Sequence, residues 1–101
     1  MSYFITVKVR GDVGQFKKAL AERADEFRAI AEKAKAAGAL HHRFGLGDGY
    51  VLAVDEWENP AGFEAFFTEP SMMEFVGSIG ADTSVPPEIT VAEITDSPDS
   101  F

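Results

Sequence analysis

Cysteine is absent from this chain. Its absence removes disulfides, thiolate nucleophiles and Cys-ligated metals, and it suits a reducing compartment. Positive charge is missing from the second half: all nine Lys and Arg fall between Lys8 and Arg43, whereas Phe44 to Phe101 has none and carries twelve of the seventeen acids. With a net charge of -8, most of the surface repels a phosphate backbone, so nucleic acid is not expected as a partner. No apolar run approaches the roughly 20 residues that span a bilayer, and the first residues lack a charged stretch followed by an apolar one. No membrane association is expected, and the expected location is cytoplasmic. No Gly-x-Ser-x-Gly elbow occurs, and the glycines at 45, 47 and 49 lie between two strand patterns rather than before a helix, which excludes a phosphate-binding loop.

What is present is a clear order of elements. Tyr3 to Arg10 alternates, with Tyr3, Ile5, Val7 and Val9 on one side and Phe4, Thr6, Lys8 and Arg10 on the other, a strand with one apolar face. After Gly11-Asp12, the spacing of Phe16, Leu20, Phe27, Ile30 and Ala34 predicts one amphipathic helix from about Val13 to Ala37, closed by Gly38. A second strand over about Ala39 to Leu46 and a third over about Tyr50 to Trp57 flank Gly47-Asp48-Gly49. A type I′ hairpin on Asp48-Gly49 pairs His42 with Asp55 and Leu40 with Trp57, whereas a loop on Gly47-Asp48 pairs His42 with Ala53. Either choice puts His42, Phe44, Val51, Ala53, Asp55 and Trp57 on one face, provided that no bulge intervenes.

Asn59 and Pro60 then start a helix carrying Phe63, Phe66 and Phe67. Glu69-Pro70-Ser71 interrupts it, Met72 to Ile79 resumes a helical stripe, and a Pro-rich loop over Ala81 to Pro87 leads to a last strand, Glu88 to Thr95. The order strand, helix, strand, strand, helix, strand is the α+β, ferredoxin-like βαββαβ layout: one antiparallel sheet with helices on one face. Residues 1–95 form this single domain and 96–101 a C-terminal tail. A chain this short leaves much of its surface wet unless it pairs with a copy of itself, so a homodimer is expected. The sheet side carrying Phe4, Thr6, Lys8, His41 and Arg43 is the candidate for that contact.

The candidate site follows from the shared face. Neighbouring strand residues project to opposite sides, so His41-His42 cannot grip one metal ion, and no further His or Cys cluster completes a ligand set. His42 alone is more informative. On the side of Trp57 and Asp55, oriented by the carboxylate, it could serve as a general base; the structural alternative is a His at the edge of the core tied to a hydrogen-bond partner. Phe27, Phe63, Phe67 and Trp57 either fill the seam between sheet and helices or wall an apolar pocket. Tyr3 and Tyr50 are candidate hydrogen-bond donors to a ligand there.

Across Tyr3 to about Ile94, in element order, in length and in the segment Val51 to Phe75 with Glu56-Trp57 closing a strand before Phe66, Phe67 and Pro70, the chain resembles the antibiotic-biosynthesis-monooxygenase-like proteins of the dimeric α/β-barrel superfamily. The resemblance implies a homodimer whose sheets pack face to face, with a small apolar or aromatic ligand between the sheet and helices of each subunit. Trp57 matches the Trp that ends the third strand in many relatives. The relatives' helix His falls on Phe66 or Phe67, and the first-strand Asn of the haem-degrading group is absent from Tyr3-Phe4-Ile5-Thr6-Val7, which argues against haem. The implied activity is a monooxygenase needing no cofactor, acting on a small aromatic or polyketide-like compound, with His42 and Trp57 at the site and Asp55 orienting the base. The alternative is a non-catalytic ligand-binding or interaction module of the same fold.

Overall fold

A computed structural model describes residues 1–101. Its elements are β1 (Tyr3–Arg10), α1 (Val13–Glu22), α2 (Ala24–Ala37), β2 (Ala39–Gly47), β3 (Tyr50–Trp57), α3 (Pro60–Phe67), α4 (Pro70–Ser78) and β4 (Glu88–Glu93). The four strands lie in the order β2-β3-β1-β4, and every pair is antiparallel. This is the ferredoxin-like α+β sheet, with Ile5, Val7 and Trp57 packed beneath Phe63 and Phe67 of α3 and the opposite side of the sheet left open at Phe4 and Val54.

The single long helix expected over Val13 to Ala37 is two. Arg23 leaves helical geometry at φ -121° and ψ 32° while its N–H still bonds Ala19. Its guanidinium is held by Glu26 and, at 2.9 Å, donates to Ser78 Oγ of α4. A residue with good helix propensity is therefore spent on ties to another element, as tertiary context often dictates. The turn at Arg23 lets Phe16 of α1 meet Phe27 of α2 edge to face, 5.9 Å apart.

The hairpin pairs Gly47 with Tyr50 and His42 with Asp55, which selects the Asp48-Gly49 loop. The turn is not type I′, however. No residue other than glycine has positive φ, and Gly49 has φ 76°, the sign pattern of a type II turn, which spares Asp48 the left-handed region. The expected pairing of Leu40 with Trp57 also fails: Ala39 pairs with Trp57 and His41 with Glu56, so Leu40 is the extra residue of a bulge. Beyond Leu40 the face grouping is as expected, with His42 and Asp55 on the side of the helices.

Two boundaries move. α4 begins at Pro70 rather than Met72, because a proline suits the first helical position, where its missing N–H costs nothing. β4 stops pairing at Glu93, two residues early, although the Ile94 N–H still donates to the Ser2 carbonyl at 2.9 Å.

Candidate functional site

Only eight of 101 residues are buried, few for a domain whose composition is 46% hydrophobic. Part of the reason is a cavity of about 540 Å³ between the sheet and the helices, inside the range usual for small-molecule sites. Seven of the nine phenylalanines line it, all but Phe4 on the outer sheet face and Phe101 at the last position. Most of its exposed lining residues, Arg28 and Lys35 of α2 and Leu40 to Phe44 of β2, put a mouth between α2 and the edge strand, while exposed Arg10 and Asp12 line the other end. At the far end the Asp12 N–H bonds the Gly80 carbonyl at 2.9 Å and ties the start of α1 to the end of α4.

The walls are edge-to-face aromatics. Phe27 meets Phe75 at 5.0 Å, Phe16 meets Phe44 at 5.0 Å, and Phe44 meets the His42 ring at 4.5 Å. Such packing offers ring edges and faces to a flat guest without closing the space between them.

Polar chemistry on the sheet side is concentrated in one pair. His42 of β2 and Asp55 of β3 are direct cross-strand partners, so their side chains rise from the same face within reach of each other. His42 Nδ1 lies 2.6 Å from Asp55 Oδ1, and the indole N–H of Trp57 donates to Asp55 Oδ2 at 3.2 Å. The Asp55 side chain is 11% exposed and that of His42 42%. A sheltered carboxylate thus supports an accessible imidazole, whose Nε2 has no hydrogen-bond partner in the chain. Away from this pair, Glu26 is held below the ordinary carboxylate range by the Arg23 hydrogen bond, and Asp82 likewise by the Ser84 hydroxyl.

The structure sorts the candidate residues. Phe27, Phe63, Phe67, His42 and Asp55 come together around the cavity, whereas Trp57, Tyr3 and Tyr50 do not line it. Trp57 is completely buried beneath Phe63, so it supports Asp55 instead of walling the space. Tyr3 pairs with Trp57 and packs into the same cluster. Tyr50 belongs to the outer face, where the Lys8 ammonium sits 4.4 Å from its ring centre, and it cannot donate to a ligand in the cavity. Conversely, Phe16, Phe44 and Phe75 are lining residues that the sequence pattern assigned to a strand face or a helix stripe without distinguishing core from wall; their aromatic type was the available signal. No group of three or more His, Asp or Glu side chains is placed to hold a metal ion, and no helix is long and apolar enough to cross a membrane.

No protein-family model matches this sequence, and none of the curated proteins matches it significantly. Solved structures do match in shape. SnoaB, a cofactor-independent oxygenase from Streptomyces nogalater, superposes with a TM-score of 0.61 at 11% identity over 98% of this chain and 97% of its own. An antibiotic biosynthesis monooxygenase gives 0.63 at 11% identity over 93% and 99%. A putative antibiotic biosynthesis monooxygenase from Deinococcus radiodurans gives 0.57 at 12% identity over 98% of each chain. Identities this low speak for the backbone alone: the chain shares the ferredoxin-like α+β fold of these solved structures.

Proposed function

We propose that the protein is a homodimeric monooxygenase needing no cofactor, which acts on a small aromatic or polyketide-like compound bound in the cavity, with His42 as its base. The observation that carries this reading is the single His42–Asp55 pair, at 2.6 Å, beside an aromatic-lined space of about 540 Å³. A ligand there loses its water to phenylalanine surfaces and meets the imidazole of His42 on the sheet side. The phenylalanine walls favour a substrate that delocalises the developing charge over its own rings, and the cations Arg28 and Lys35 of α2 also line the cavity. An activated methylene between aromatic rings, or a phenol, fits.

The chemistry is then short. Nε2 takes a proton from the methylene, and the dry walls keep the carbanion from being reprotonated by water. The delocalised carbanion passes one electron to O₂, the radical pair combines as a hydroperoxide, and loss of water leaves a ketone. In sum, CH₂ and O₂ give C=O and H₂O. The open sheet face around Phe4 and Val54, 49% and 41% exposed, supports a second copy packing there, because a single sheet face this apolar is otherwise left in water.

Anthrone tests the reading, since it offers one acidic methylene between two rings. The wild type is expected to show a raised Tm with anthrone and to consume one O₂ per anthraquinone formed, while His42→Ala keeps the Tm shift and loses the oxidation. A Tm shift without O₂ uptake in the wild type replaces the enzyme by a ligand-binding module, and absence of both with a panel of such compounds overturns the reading.

A further inference from the structure

We propose that Trp57 is a positioning residue: by donating to Asp55 Oδ2, its indole N–H fixes the carboxylate that holds the His42 proton on Nδ1. The inference rests on the reading of His42 as a base and adds what makes the base face outward with a free lone pair.

Asp55 stands two residues before Trp57 on the same face of β3 and opposite His42 of β2. Each of its oxygens has one partner, His42 Nδ1 at 2.6 Å on Oδ1 and Trp57 Nε1 at 3.2 Å on Oδ2. An indole N–H can only donate and a carboxylate can only accept. Polarity therefore runs one way: both neighbours give a proton to Asp55, His42 carries its hydrogen on Nδ1, and Nε2 keeps its lone pair. The indole cannot turn away, because Trp57 is wholly buried and Phe63 abuts it at 5.5 Å with the rings at 80°. Nor can it lose the bond cheaply, since a buried N–H without an acceptor is costly, and no buried side-chain nitrogen or oxygen in this protein lacks a partner. The fully packed cluster at the end of the sheet thus acts, through one carboxylate, on an imidazole at the cavity.

Exchanging a carboxylate for an amide makes the direction visible, because the amide has one accepting and one donating end. In Asp55→Asn the fixed indole N–H claims the amide oxygen, which turns the amide NH₂ toward His42. Nδ1 then has to accept, and the proton moves to Nε2, the same reversal of tautomer that disables a base when its orienting Asp becomes Asn. With Trp57→Phe added, nothing holds the amide oxygen, and the amide can rotate to accept from Nδ1 again.

Long-range proton–nitrogen correlation on ¹⁵N-histidine-labelled protein at mildly alkaline pH reads the tautomer without any substrate. His41, whose nearest carboxylate oxygen on Glu56 is 3.7 Å away, serves as internal reference. The wild type is expected in the Nδ1–H form. Asp55→Asn is expected to shift the ratio toward Nε2–H by about tenfold or more, the value of one hydrogen bond to a buried partner. Asp55→Asn/Trp57→Phe is expected to return most of that shift. An Asp55→Asn protein that keeps Nδ1–H overturns the proposal, and so does a double variant that folds and stays in the Nε2–H form. Should the double variant not fold, the comparison of wild type with Asp55→Asn decides alone. Tautomers that switch as described in a protein that oxidises nothing would uphold the positioning role and refute the oxygenase reading, so the two fail separately.

Discussion

The two ends of the seam between sheet and helices are built from the same kind of side chain and come out differently. At the Trp57 end, Phe63 and Phe67 stack 5.3 Å apart, Trp57 lies edge-on to Phe63, and Ile5 and Trp57 are wholly buried. At the Phe44 end the rings of Phe16, Phe27, Phe44 and Phe75 also touch, yet Phe44 is 41% exposed and a cavity remains. Apolar content does not separate them; helix placement does. At the solid end α3 approaches α2 so closely that a Cβ on Gly62 would lie 2.2 Å from the Ala37 carbonyl oxygen. At the hollow end α4 is held by side chains and loops, through the Arg23 bond to Ser78 and the Asp12 bond to Gly80. Backbones approach closely at both ends, since a Cβ on Gly11 would lie 2.2 Å from the Gly80 carbonyl oxygen, and it is the approach of helix α3 to helix α2 that goes with the filled end.

The contrast can be broken most severely at its solid end. Trp57→Ala is expected to cost about 3–5 kcal/mol in urea unfolding, as large-to-small changes in closed cores do, whereas Phe44→Ala should cost only about 1 kcal/mol for a ring already half in water. Equal losses would mean that the two ends are packed alike. Gly62→Ala comes next, at about 1–3 kcal/mol, because the methyl meets backbone that cannot yield as a flexible side chain would; a neutral result in the same measurement would show that α3 and α2 are not locked together. The smallest effect lies in the loop after α4, where Asp82 also donates its N–H to the Arg10 carbonyl at 2.8 Å. The Asp82 carboxyl is held below its ordinary range first by the Ser84 hydroxyl and then by the Ser84 N–H. A value lowered by folding contributes stability that is present above the unfolded value and disappears as pH falls through the folded one. In Ser84→Ala the NMR titration of Asp82 is expected to move upward, and an unmoved midpoint would remove the hydroxyl as the cause.

The period-two pattern of Tyr3 to Arg10 and Tyr50 to Trp57 identified β1 and β3 with their observed limits, and Gly47-Asp48-Gly49 left two possible loops, of which the structure takes Asp48-Gly49, with His42 opposite Asp55. Strand faces are a local matter, decided by side-chain alternation. The break at Arg23 was not legible, because arginine is at home in a helix and its partner Ser78 lies 55 residues further on. The bulge at Leu40 left no local mark either, and it moved the partner of Trp57 by one residue. Alternation already sets Tyr50 on the face opposite Val51, so a role as donor to the cavity runs against the strand pattern, and the structure puts it under Lys8 on the outer face.

By itself, then, the order of residues determined the strand faces and the ferredoxin-like connection of elements, because both follow from interactions between near neighbours along the chain, whereas the choice between two hairpin registers for His42 was made by the folded sheet. Whether seven phenylalanines would fill the interior or surround a space was decided only in three dimensions. That outcome depends on how the helices sit on the sheet: Gly62 lets α3 close on α2 at one end, while at the other Phe44 stays 41% exposed beside the cavity.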